Sequence, residues 1–122
     1  MRPSMQLGQD GEELAAEHLI AQGFTVIERN WRCRGGELDI VARDPDGATL
    51  VFCEVKTRST DVFGLPAEAV GRVKANRIRR LAMQWLDDHP EARSRGDLRF
   101  DVVSVVRRRG FAPELQHLRA AF

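Results

Sequence analysis

Two short runs rich in β-branched and apolar residues, Gly35 to Arg43 and Leu50 to Lys56, predict a pair of strands. Asp44-Pro45-Asp46-Gly47 between them is a strong turn signal, so the pair reads as a β-hairpin. Ahead of it, Leu14, Ala15, His18 and Leu19 recur at helical spacing and predict a helix from about Gln9 to Gln22, stopped by Gly23. Asp10, Glu12 and Glu13 then crowd its first turn, where acidic side chains favour the positive end of the helix dipole. Phe24 to Arg29 predicts a first strand. Asn30 to Gly36 predicts a loop, whose paired glycines allow a left-handed backbone.

Beyond the hairpin, Arg58 to Leu65 lacks a period, and a short helical start is expected at Ala67 to Val70. After a break at Gly71, a second helix runs to about Asp88 and ends at His89-Pro90. Its apolar stripe is Val70, Ile78, Leu81, Ala82 and Trp85, while Arg72, Arg79 and Arg80 fall on the solvated side. Lys74 lies on the stripe, either extending its head to water or pointing across the end of the sheet. Glu91 to Asp97 reads as a polar loop, Leu98 to Val106 as a strand and Arg107 to Gly110 as a basic turn. A last edge strand is expected around Leu115 to Leu118. The order α-β-β-β-α-β predicts an α/β fold, a mixed sheet flanked by helices. At 122 residues the chain suits one domain, 1–122, with one modest core.

Charge changes the reading of the hairpin. Alternation puts Glu37, Asp39 and Val41 on one face of its first strand and Leu50, Phe52, Glu54 and Lys56 on one face of the second. Arg43 pairing with Ala48 or Leu50 brings Asp39, Glu54 and Lys56 together. On a solvated face these would be an ordinary charge network. Among Ile40, Leu50 and Phe52 they are expensive unless paired or bound to something.

The net charge of +1 excludes nothing by itself. Cys33 and Cys53 have neither zinc-ligand nor disulfide-framework spacing, and Cys53 is expected to be a buried apolar residue. His18, His89 and His117 form no ligand pattern. Met1 to Gln6 contains no signal-peptide core and no run is long enough to span a membrane, so a cytoplasmic protein is expected.

Phosphodiester hydrolysis needs a metal with open positions, an in-line water and positive charge for the transition state. Mg²⁺ favours one or two carboxylates plus waters and phosphate oxygens. Asp39 and Glu54 supply that pair, the Val55 carbonyl could add a neutral oxygen, and Lys56 would sit beside the metal-bound water. The two carboxylates are expected to keep Lys56 protonated.

Gly36-Glu37-Leu38-Asp39, a hairpin, then Glu54-Val55-Lys56 resembles the PD-(D/E)XK nuclease superfamily, with Asp39, Glu54 and Lys56 on its signature positions. Leu38 stands where the motif has proline. More closely, the chain resembles the YraN family of small bacterial endonuclease-like proteins, related in fold to Holliday-junction resolvases. The resemblance runs through Gly8-x-x-Gly11-Glu12-x-x-Ala15, Arg29-Asn30-Trp31-Arg32, the hairpin motifs, Lys74, Arg99-Phe100-Asp101-Val102-Val103 and Ala121-Phe122. It implies a restriction-endonuclease-like αβββαβ core, a divalent cofactor (Mg²⁺ or Mn²⁺) and action on nucleic acid. It also implies that Glu12, on the first helix, completes the site.

Arg32, Arg34, Arg58 and Lys74, with Arg29, Arg72, Arg77, Arg79, Arg80 and Arg107 to Arg109, could border a cleft for a phosphate backbone. Trp31 either stacks on a base or packs over the sheet edge. No base-reading motif is present, so recognition by structure is expected, of DNA over RNA and without a membrane; a homodimer is compatible. The reading is a metal-dependent nuclease for structured or single-stranded DNA. A nucleic-acid-binding module without catalysis is the alternative, and an adaptor for protein assembly the third.

Overall fold

Leu50, Val51, Phe52 and Cys53 are buried in succession, the mark of a strand covered on both faces. The computed structural model describes residues 3–58, 70–92 and 96–122, of which 3–10 through the backbone. In chain order these form α1 (Pro3–Ala21), β1 (Thr25–Cys33), β2 (Gly36–Arg43), β3 (Leu50–Arg58), α2 (Arg72–Asp88), a 3₁₀ turn (Pro90–Ala92), β4 (Leu98–Val106) and β5 (Glu114–Leu118). The five strands lie in sequence order in one mixed sheet. Only β3 and β4 run parallel, and α2 makes the crossover that parallel neighbours require. The α/β class and the restriction-endonuclease-like core order are those expected. No helix among the described residues is long and apolar enough to cross a membrane.

Among the described residues each face of the sheet carries one helix. Ala15, Ala16 and Leu19 of α1 pack on Ile40, Ala42, Val51, Cys53, Val103 and Val105. On the other face Ile78, Leu81, Ala82 and Trp85 of α2 pack on Leu38, Val41, Leu50, Phe52 and Phe100. Trp85 meets the Phe52 ring edge-on at 5.9 Å and donates its Nε1–H to Glu28 at 2.9 Å, so its one polar atom is satisfied.

The hairpin closes with Arg43 opposite Leu50, one of the two expected registers. Asp46 caps the turn, accepting from the Ala48 and Thr49 amides at 2.8 and 2.9 Å, and Gly47 takes the left-handed φ of 77°.

Three boundaries, and the place of Val70 on the α2 stripe, differ from expectation. Helix α1 begins at Pro3, a residue suited to a first helical position, so Glu12 and Glu13 lie well inside the helix and the dipole reading fails. Strand β1 continues through Cys33, because Trp31, Arg32 and Cys33 pair with Leu38, Glu37 and Gly36; the expected loop shrinks to a tight turn at Arg34-Gly35. Arg58 ends β3 and does not begin an irregular segment. Helix α2 starts at Arg72, with Val70 outside it; the helical start expected at 67–69 lies outside the described residues.

Alternation along β2 breaks once, and the break matters. Leu38 and Ile40 should share a face, yet Leu38 joins the cluster under α2 and Ile40 the cluster under α1. Opposite this step Asn30 adopts φ 56°, a left-handed value that Asn tolerates better than most residues. The change of side falls at Asp39.

Candidate functional site

At Asp39 the β2–β3 ladder stops. Backbone pairing is recorded from Arg43↔Leu50 to Ile40↔Cys53 and no further, so the strands part beyond it. The Asp39 carboxylate takes up the slack: its Oδ2 accepts the Val55 amide at 2.9 Å. Glu54, on the α2 side by alternation from Phe52, then meets it across the gap. Asp39, Glu54, Glu37, Lys74 and Arg77 line one cavity of about 310 Å³ between the end of the sheet and α2.

The sequence-based trio is thus brought together and joined by a fourth group. Lys74 Nζ lies 2.6 Å from Glu54 Oε2. Of its two expected postures, Lys74 takes the one across the sheet end, because the first turn of α2 stands over the gap between β2 and β3. It also faces Lys56, whose ammonium its charge lowers.

Burial and the Glu54 charge raise the Asp39 carboxyl from its ordinary 3.8 to about 7, although the Val55 amide pulls the other way. Glu12 adds to the rise from α1. That helix approaches β3 so closely that a Cβ at Gly11 would overlap the Thr57 hydroxyl, which is what lets Glu12 act at this end of the sheet.

Burial and the neighbouring Lys74 lower the Lys56 ammonium below the ordinary 10.5, although the Glu54 and Asp39 charges pull it up. Lys74, bonded to Glu54, moves up instead, its own burial notwithstanding. Two lysines share two carboxylates unequally.

The remaining candidates are dispersed. Trp31 and Cys33 pack partly buried against the core under α2, which is the packing reading of Trp31. Arg32 is three-quarters exposed and lies 3.6 Å from Glu37. The Arg58 carbonyl accepts the Arg107 amide where β3 ends. Arg34 lines a second cavity with Arg77 and Arg80. Sequence reasoning did not single out Cys33 or Gln84, which line it too. For Gln84 a signal existed: Lys74, Arg77, Leu81 and Gln84 are spaced three or four apart and so share a helix face.

Another carboxylate is buried in the same sheet and is fully partnered. Asp101 accepts from Arg99 Nε and Nη2 at 2.9 Å each and from the Ala120 amide at 3.0 Å, and His117 Nε2 lies 2.8 Å away. Arg99 also reaches Asp44 at 2.8 Å. Burial alone would raise Asp101; His117, Arg99 and the Ala120 amide overcome it and hold the carboxyl at about 2. This network ties β5 and the C-terminal residues to the sheet.

Fold and site together define a three-layer α/β protein with a restriction-endonuclease-like core and a carboxylate–lysine cluster where two central strands part. The chain belongs to the uncharacterised protein family UPF0102, whose model matches residues 11–105. It is 57% identical to a UPF0102 protein of Frankia alni over 122 residues, all of this chain and 98% of the relative. It is 54% identical to one of Beutenbergia cavernae, covering 98% of each chain. A Streptomyces griseus member is 56% identical over 93% of this chain and 92% of its own.

Proposed function

We propose that the protein is a divalent-metal-dependent nuclease of PD-(D/E)XK type, hydrolysing phosphodiester bonds in nucleic acid, with DNA favoured over RNA. The resemblance to the YraN family points the same way. The observation that carries the reading is Asp39, a carboxylate that shares a cavity with Glu54 and whose proton affinity burial and the Glu54 charge raise to near neutrality. A site of this kind has room for a cation.

The residues fit Mg²⁺ or Mn²⁺. Among the described residues no group of three or more His, Cys, Asp and Glu could hold a metal by itself. Mg²⁺ asks for less, one or two carboxylates with waters and phosphate oxygens. Asp39 and Glu54 would hold it with the Val55 carbonyl, and Glu12 would complete the site through the charge it already exerts on Asp39. When bound, the metal supplies a water of lowered pKa and polarises the phosphate.

The chain's own groups have separate tasks. Lys56, whose ammonium gives up its proton more readily than an ordinary lysine, orients the attacking water and meets the charge building on phosphorus. Lys74 holds Glu54 in place in the free protein and is a cation available to a substrate phosphate. Arg32, Arg34 and Arg58 are assigned to the nucleic-acid surface, while Trp31 packs against the core under α2.

The same Lys74–Glu54 pair favours a second reading, a nucleic-acid-binding module that hydrolyses nothing, because it half-neutralises the cluster without metal. The test is incubation of the pure protein with Mg²⁺ or Mn²⁺ and duplex, single-stranded, flapped and four-way substrates. Metal-dependent cleavage by the wild type, lost in Asp39→Asn, is the expected result. Salt-sensitive binding with no cleavage of any substrate supports the second reading.

A further inference from the structure

Beside the carboxylate cavity lies a larger one, about 510 Å³, between the β1–β2 turn and α2. Arg34, Arg77 and Arg80 line it, with Cys33, Leu81 and Gln84. None of the three arginines makes an ion pair among the described residues, and the lining contains no acidic group. Three unpaired guanidinium groups around one cavity repel one another, a cost that an anion removes. The guanidinium fork matches a phosphate. Leu81 and the Cys33 sulfur supply apolar surface, and Gln84 an amide that can both donate and accept. The volume falls in the range of small-molecule sites, ~300–1,000 Å³, which holds one nucleotide and no duplex segment.

The two cavities are joined. Arg77 and Leu81 line both, so a ligand in the basic cavity abuts the Asp39–Glu54 pair. An acidic peptide offers the cavity only carboxylates, whereas a nucleotide offers a phosphate for the arginines and a base for the Leu81 and Cys33 surface and the Gln84 amide. We propose that the arginine-lined cavity binds one unpaired nucleotide of a nucleic-acid strand, its phosphate on Arg34, Arg77 and Arg80. Its position as the subsite flanking the scissile bond rests on the nuclease reading; its affinity for an unpaired nucleotide does not. The substrate class is then a strand that is single or locally opened.

The chain carries its own reporter. Of its two cysteines, Cys53 is 3% exposed and Cys33 lines the cavity. The experiment follows alkylation of Cys33 by N-ethylmaleimide in wild-type protein, in chelator and at low salt. The additions are a short oligothymidylate, a blunt duplex at equal phosphate concentration, or polyglutamate at equal charge. The oligothymidylate should slow alkylation about fivefold or more, and the duplex and polyglutamate less than about twofold. Arg77→Gln with Arg80→Gln should raise the half-protecting concentration at least about tenfold, the scale of one charged hydrogen bond. Both arginines are exposed on the helix, and Arg34→Gln on the turn gives an independent variant should the double one melt early.

No protection, equal protection by duplex or polyglutamate, or protection unchanged in both variants would overturn the proposal. The labelling involves neither metal nor turnover. Protection without cleavage therefore sinks the nuclease reading alone, and cleavage without protection sinks the nucleotide cavity alone.

Discussion

Replacing Asp39 by asparagine should stabilise the metal-free protein, and increasingly so as pH rises. A carboxyl lifted from 3.8 to about 7 binds a proton more tightly in the folded chain than in the unfolded one. Folding is therefore unpenalised below pH 4 and penalised as pH climbs through 7. At about 1.4 kcal/mol per tenfold difference in proton affinity, the penalty at pH 8 approaches ~4 kcal/mol. Movement of Lys56 and Lys74 around the carboxylates lowers this, so about 2–4 kcal/mol is expected. Asparagine mimics the protonated acid: its Oδ1 keeps the 2.9 Å bond from the Val55 amide, and its Nδ2 donates to Glu54 as the carboxylic acid does. The assay is thermal melting of both proteins in chelator from pH 5 to pH 8. The variant should gain roughly 5 °C or more over the wild type at pH 8 and about half that or less at pH 5. A variant that melts lower at pH 8, or a difference that does not change with pH, would refute the reasoning and make Asp39 a structural partner.

Mg²⁺ at ten times its dissociation constant should stabilise the wild type by about 1.4 kcal/mol and Asp39→Asn by much less, read from the same melts. Lys56→Ala should cut cleavage by about two orders of magnitude while calorimetry shows Mg²⁺ binding retained, since lysine is not a metal ligand here. Asp101→Ala should destabilise by about 3–5 kcal/mol in denaturant titration, because it strands Arg99 beside Asp44 with its other partner gone. In the wild type the depressed Asp101 carboxyl contributes stability above pH 4 that is lost between about pH 4 and pH 2, about 2 kcal/mol in acid titration. Affinity for single-stranded DNA should fall about tenfold or more between 50 and 200 mM salt, by fluorescence anisotropy.

How far the sequence reaches is clearest along β2 and β3. The hairpin, its turn and the carboxylate pair were legible because apolar runs and an Asp-Pro-Asp-Gly turn fix them locally, whereas the register stayed open between two pairings. The side change at Asp39 was not, since it depends on a left-handed residue in the neighbouring strand, Asn30, which alternation within β2 cannot register. Trp31 to Cys33 read as loop because two glycines follow; pairing with β2 overrides that local signal. Lys74 was placed on the right face, but its partner was undecidable while the approach of α2 to the sheet end was unknown. The lowered proton affinity of Lys56 was missed for the same reason: it comes from burial between elements and from Lys74, eighteen positions away. What was lost in each case is a contact between elements.

Asp39 and Asp101 make the functional argument by contrast. Both carboxylates stand one strand away from Cys53, Asp101 directly opposite it in β4 and Asp39 beside its β2 partner Ile40. Burial raises the Cys53 thiol, and both of these charges raise it further, so both act on the same piece of core. Asp101 is met by a forked guanidinium, an imidazole and an amide, and its proton affinity falls to about 2. Asp39, given one amide and a second carboxylate, rises to about 7. Had the sheet needed a charge at Asp39 for stability alone, a partner of the Arg99 kind would have lowered its energy by several kcal/mol. The cations of the cluster are lysines instead, Lys74 bound to Glu54 and Lys56 lowered by burial and by Lys74. An under-neutralised carboxylate pair, two strands away from a well-satisfied carboxylate in the same sheet, is the arrangement expected when the missing positive charge arrives with a ligand.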